Sequence, residues 1–135
     1  MAEPTPYRAI TKGIAVSVIP TYLEAQSSPD NSQYFWAYRV IIENQGRETV
    51  QLLSRHWMIT NARGELTEVK GPGVVGQQPV LKPGESYEYT SGAPLNTTSG
   101  MMGGAYQMKS ESGERFDIEI PTFSLDQPNQ GVLLN

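Results

Sequence analysis

His56 is the only histidine in the chain, and no cysteine accompanies it. A zinc site would need further ligands at a recognisable spacing, and His56 has none at i+4. A serine–histidine nucleophile would need a serine in a strained G-x-S-x-G elbow, and no serine here has that setting. If strand alternation holds, His56 faces away from Trp57 and reads as a partly exposed strand histidine. The carboxylates come as close pairs: Glu85 and Glu88, Glu111 and Glu114, Asp117 and Glu119. Acid–base work needs two carboxylates held in a cleft that separates their pKa values. These pairs fall in turns or on one solvent face, where charge also discourages edge-to-edge pairing of strands. No catalytic residue and no metal ligand is assigned. A weak Mg²⁺ site on such a face is a third-ranked reading, because that ion needs few carboxylates.

Gly71, Gly73 and Gly76 spell G-x-G-x-x-G, the one motif with a nucleotide-binding sense. In a dinucleotide fold that motif opens a helix whose N-terminal amides hold the pyrophosphate. Here Gln77-Gln78-Pro79-Val80-Leu81-Lys82-Pro83-Gly84 follows. A helix starting at Gly76 would carry Pro83 in its interior, at a cost of about 3 kcal/mol, with Gly84 adding about 1 more. The helix is excluded. A non-helical nest of amides over Gly71–Gly76 could still hold an anion. The plainer reading is a loop that needs unusual backbone angles or close strand approach.

The elements that position these residues read as strands. Ile14, Val16 and Val18 alternate with Ala15 and Ser17 in the first, where Pro20 marks an edge, bulge or bend. Residues 33–44 alternate Tyr34, Trp36, Tyr38, Val40 and Ile42 against a second, nearly apolar face, which predicts a central strand covered on both sides for part of its length. In residues 50–60, Val50 and Leu52 give way to Trp57 and Ile59, which predicts an irregularity near Ser54. Asn61-Ala62-Arg63-Gly64 predicts a hairpin turn, and Pro83-Gly84 a type II turn. Tyr87, Tyr89 and Ser91 share one face of a strand over 86–91, and these tyrosines with Tyr106 form either a binding patch or cross-strand core. Gly100, Met102, Gly104, Tyr106 and Met108 fall on alternate positions. A hairpin at 111–114 leads into Phe116, Ile118 and Ile120, a strand that Pro121 is expected to end.

About seven strands at short turn spacing predict an all-β fold, an antiparallel β-sandwich of the immunoglobulin or fibronectin type III kind. A five-strand barrel is the competing architecture. The whole of 1–135 reads as a single domain, with 1–8 and 126–135 as loose tails and Val132, Leu133 and Leu134 able to pack over an edge. With no cysteine, stability must come from packing. Ten basic residues are scattered singly among fourteen acidic ones, for a net charge of −4, so no basic stripe for nucleic acid can be drawn. Neither a secretory signal nor a run of eighteen apolar residues is present, which makes the cytoplasm the default address.

Several long strings resemble one family. They are VQLLSRHWMIT at 50–60, EVKGPGVVGQQPVLKPG at 68–84, YEYTSG at 87–92 and TTSGMMGGAYQM at 97–108, with YFWAYRVIIENQG and the IPTFSL ending. The chain is similar to the ApaG family over nearly its whole length; Trp36 departs from the phenylalanine more common there. The resemblance implies a fibronectin type III-like sandwich and a small stand-alone bacterial protein. It also implies a link to the operon of a diadenosine-tetraphosphate hydrolase and to cobalt and magnesium efflux. Related domains in eukaryotic F-box and polymerase-delta-interacting proteins are thought to bind proteins. The family has no established catalytic residues to carry over. Gly71, Gly73 and Gly76 match its glycine motif, for which nucleotide or pyrophosphate binding has been suggested.

The expected function is therefore a non-catalytic module that binds a protein, needs no cofactor and is tied by resemblance to divalent-cation homeostasis. The alternative is a binder of phosphate, pyrophosphate or a dinucleotide at Gly71–Gly76. Exposed edge strands also allow a homodimer by strand pairing.

Overall fold

The computed structural model describes residues 6–128. Among the described residues there are nine strands: β1 (Tyr7–Thr11), β2 (Ile14–Tyr22), β3 (Tyr34–Asn44), β4 (Val50–Asn61), β5 (Leu66–Pro72), β6 (Val80–Leu81), β7 (Ser86–Leu95), β8 (Ser99–Ser110) and β9 (Arg115–Asp126). Short 3-10 turns at Glu24–Gln26 and Pro29–Asn31 link β2 to β3. One sheet has the order β1-β2-β3-β7; the other runs β5-β4-β8-β9, with β6 also on β4. All pairings are antiparallel. The two sheets pack face to face as an immunoglobulin/fibronectin-type sandwich, not as a barrel.

Alternation explains the core. Tyr34, Trp36, Tyr38, Val40 and Ile42 of β3 are all buried against Trp57, Tyr106 and Phe123 of the opposite sheet. Trp57 meets the rings of Tyr106 and Phe123 edge-on, at 6.2 and 6.1 Å between centroids, the arrangement that aromatic quadrupoles favour. Asn44 and Ser110 are the buried polar residues among those described, and the Asn44 amide is fully used. Its Nδ2 donates to the Glu48 and Leu81 carbonyls at 2.8 and 2.9 Å, and its Oδ1 accepts from Gly46 N–H at 2.9 Å. These bonds tie the β3–β4 turn to β6.

Four expectations need correcting. Residues 7 and 8 belong to β1 rather than to a loose tail; Tyr7 pairs Val18 and Thr11 pairs Ile14. Asp126 closes β9 opposite Ser99, while Val132, Leu133 and Leu134 lie outside the described residues. β3 is central in its sheet but covered on one face only, since Phe35, Ala37 and Ile41 are half-buried and Arg39 is exposed. Pro121 does not end β9. Met102 pairs Phe123 whereas Gly104 pairs Ile120, so Pro121 and Thr122 together oppose Gly103 in a bulge. There the missing proline N–H costs no ladder bond, and Phe123 and Leu125 continue into the core. Other expectations hold: β4 is irregular between Leu52 and Ser54, and the 61–64, 83–84 and 111–114 turns close with Gly64, Gly84 and Gly113 at positive φ.

Sheet order decides where the molecule is open. β1 and β2 pack on β9, closing one side, and Glu119 N–H donates to Thr11 Oγ1 there at 3.0 Å. On the other side the five-strand sheet ends in β5 and the four-strand sheet ends in β7.

Candidate functional site

The glycine motif lies in an interrupted edge strand. β5 pairs β4 from Thr60 to Ser54, and β6 pairs it again at Gln51 and Val50, so residues 73–79 loop out beside the β4 irregularity. Leu53 O holds both ends of the loop, accepting Gly73 N–H at 2.9 Å and Gln78 Nε2 at 2.8 Å. Val74 and Gln77 exchange backbone bonds of 2.8 and 2.9 Å. Between them Val75 and Gly76 have φ of 41° and 81°, the two-residue left-handed turn of a hairpin. Each glycine thus has its own structural task. Gly76 turns the tip; Gly73 lies against Gln77 O; Gly71 leaves space for the Arg55 guanidinium, whose Nη1 and Nη2 would sit 3.0 Å from an added Cβ. Arg55 Nη1 donates to the Pro72 and Gly73 carbonyls at 2.9 Å each. The amides of Gly73, Val74 and Gln77 and the Nη1 of this guanidinium are committed to carbonyls. The Val75 and Gly76 amides at the tip have no backbone partner among the described residues.

His56 stands on the outer face of β4 opposite Lys70, with Nε2 2.9 Å from Glu68 Oε2. Ser54 Oγ donates to Gln107 at 2.7 Å, so serine and imidazole are not coupled. A shallow hollow of about 320 Å³ covers this region. The carboxylates are dispersed. Glu65 is held by Asn61 and Arg63, which lower its pKa; Glu88 by Arg39, with the same effect. Glu85 accepts Lys82 N–H, Glu111 accepts Thr49 N–H and Glu114 meets Lys12. Among the described residues no three His, Cys, Asp or Glu side chains converge on a metal position.

A groove of about 640 Å³ lies on the open side. It follows from the β5 overhang. Thr67 and Val69 oppose Ile59 and Trp57 in register and so share their inward face, yet Val69 is 39% exposed while Trp57 is 2%. Ile59, Thr67 and Val69 make one wall; Phe35, Pro94 and Leu95 of β3 and β7 make the other. Asn61, Glu65, Asn96, Ser32 and Gln33 rim one end. None of these positions stood out from the sequence, because the overhang depends on sheet order.

The expected tyrosine grouping is real but spans the sandwich: Tyr89 of β7 and Tyr106 of β8 hydrogen-bond through their hydroxyls from opposite sheets. Burial raises the pKa of both, and of Tyr38, above 10. Tyrosines that ionise less readily folded than unfolded stabilise fully below about pH 10, and that stability is lost as pH rises through the folded values. The thermal midpoint should therefore fall steeply above about pH 10, as a series of melts at stepped pH would show. Tyr89→Phe or Tyr106→Phe should each cost about 1–3 kcal/mol by stranding the other hydroxyl, while the double variant returns to within about 1 kcal/mol of wild type. Denaturant unfolding of the four proteins checks this; additive losses would contradict it.

Comparisons with known proteins agree with these observations. The family model described as the ApaG domain matches residues 24–110. The chain is 60% identical over 129 residues to "Protein ApaG" of Bradyrhizobium diazoefficiens, covering 96% of this chain and 99% of that one. The Brucella canis "Protein ApaG" is equally similar over the same shares. A crystal structure of an ApaA protein from Bordetella pertussis is 45% identical with a TM-score of 0.84, covering 94% of this chain and 100% of that one.

Proposed function

This chain belongs to the ApaG family, and from that premise we propose that it is a non-catalytic binding module that holds a protein partner on the open side of its sandwich. The groove between β5 and β7 carries the reading. Its walls are apolar, its rim is polar, and two strand edges flank it. An extended peptide fits such a place, with main-chain bonds to an edge for affinity and alternate side chains in the groove for specificity. The dispersal of the carboxylates and of His56 supports a binding role over a chemical one. Family resemblance supports a role for this binding in Co²⁺/Mg²⁺ efflux and divalent-cation homeostasis in the cytoplasm.

Thr67→Arg and Val69→Arg put charge into the groove from exposed positions that the fold does not need. Quantitative capture from the native cell should retain a partner on the wild-type chain and lose it by about tenfold or more on either variant, with melting unchanged. Equal retention of the same proteins would remove the groove from the account. The second reading, a phosphate or pyrophosphate site at Gly71, Gly73 and Gly76, draws on the outward Val75 and Gly76 amides. Amide shifts confined to 71–78 at sub-millimolar pyrophosphate would support it, and no shifts there would end it.

A further inference from the structure

β5 ends its sheet, and one of its two edges has no strand partner among the described residues. Hydrogen bonds Asn61 N–H to Glu65 O and Gly73 N–H to Leu53 O show that the odd-numbered residues of this strand turn their backbone groups toward β4. Alternation then points the N–H and C=O groups of Leu66, Glu68 and Lys70 outward, along the unpaired edge. An antiparallel partner must set outward groups against outward groups. Centred on Val69, two copies place Glu68 opposite the second copy's Lys70, and Lys70 opposite its Glu68. The neighbouring allowed registers are centred on Glu68 or on Lys70 and set each against its own like charge, which destabilises a strand pair. Val69 is also the midpoint of Leu66–Pro72, so this register overlaps the whole strand. Lys70 has no ion-pair partner within the described chain, while Glu68 is flanked only by His56.

We propose that the protein self-associates through a two-fold β5–β5 pairing centred on Val69. The ladder has four backbone bonds, between Glu68 and Lys70 on each side of the axis. It stops there because Pro72 has no N–H and its carbonyl already accepts Arg55. The half-exposed Val69 side chains meet on the groove side, and each copy's Val69 extends the floor of the other's groove. Self-pairing so covers an open sheet edge without closing the groove, and the register stands whatever the groove binds.

Sedimentation equilibrium across concentrations up to about 1 mM should show a reversible monomer–dimer equilibrium for the wild-type chain. Glu68→Lys or Lys70→Glu alone opposes like charges twice and should weaken association by about tenfold or more. The double reversal E68K/K70E restores both opposite pairs and should restore association. Both side chains are exposed, and melting curves check that each variant is folded. A wild-type chain that stays monomeric, single reversals that leave association unchanged, or a double reversal that fails to restore it would each overturn the proposal. The β7 edge stays open in the pair, so a different protein held in the groove along β7 is independent of these outcomes.

Discussion

Gly104→Ala is expected to cost about 4 kcal/mol or more, enough to leave the domain largely unfolded or unfolding at mild denaturant. Gly104 pairs Trp57 on one side and Ile120 on the other, at the β8–β9 bulge. Its φ is 155°, and an added Cβ would lie 2.0 Å from His56 O and 3.1 Å from Trp57 Cα. Those neighbours are backbone, so no side chain can rotate away. Relief requires β4 and β8 to part where Trp57 and Tyr106 pack, the centre of the core. Gly92→Ala is the control, because its nearest neighbour, Trp36 O, is at an ordinary 3.6 Å; it should change stability by less than about 1 kcal/mol. Guanidinium unfolding of both variants checks the pair. A Gly104→Ala protein as stable as Gly92→Ala would mean that β4 and β8 are not paired in this register.

The second large effect concerns the glycine loop. Gly73→Ala should cost about 3 kcal/mol, since the residue holds φ 60° and an added Cβ would fall 2.2 Å from Gln77 O. Gly76→Ala meets open space at φ 81° and should cost only about 1 kcal/mol of left-handed strain. Val75 is a β-branched residue at φ 41°, so Val75→Asn should gain about 1 kcal/mol. Urea unfolding of the three variants would give the order Gly73→Ala, Gly76→Ala, wild type, Val75→Asn from least to most stable. The order follows from backbone sterics, so it needs no ligand. Its failure, with all three variants near wild type, would mean that residues 73–77 do not form this hairpin.

Local pattern exposed much of the fold. The switch from Val50 and Leu52 to Trp57 and Ile59 marks the β4 irregularity, because one extra residue flips side chains to the other face. Phe116, Ile118 and Ile120 likewise reveal the start of β9, and Pro83-Gly84 the turn before β7. β1 escaped because an edge strand with Tyr7 and Ile10 exposed shows little alternation. In sequence Pro121 reads as the end of β9, because proline weakens a strand unless a bulge takes it out of the ladder, and bulges are set by the neighbouring strand. The groove was invisible for a related reason. Phe35, Ile59, Val69 and Leu95 come from separate strands, and Val69 becomes a wall only because β5 overhangs β7. Arg55 could have been found only by knowing that Gly71 stands opposite it.

A partner site on the open side of the sandwich is tested by site-specific photo-crosslinking in the native cell, with a benzophenone side chain at Val69, at Thr67 and at Arg8. Val69 and Thr67 face the groove, whereas Arg8 is exposed on β1, on the closed side. Adducts with one and the same foreign protein from Val69 and Thr67, and not from Arg8, are the predicted result. An adduct of two copies of this chain from Val69 would report self-pairing alone. Foreign adducts from Arg8 with none from Val69 or Thr67 would contradict a partner site on the open side of the sandwich.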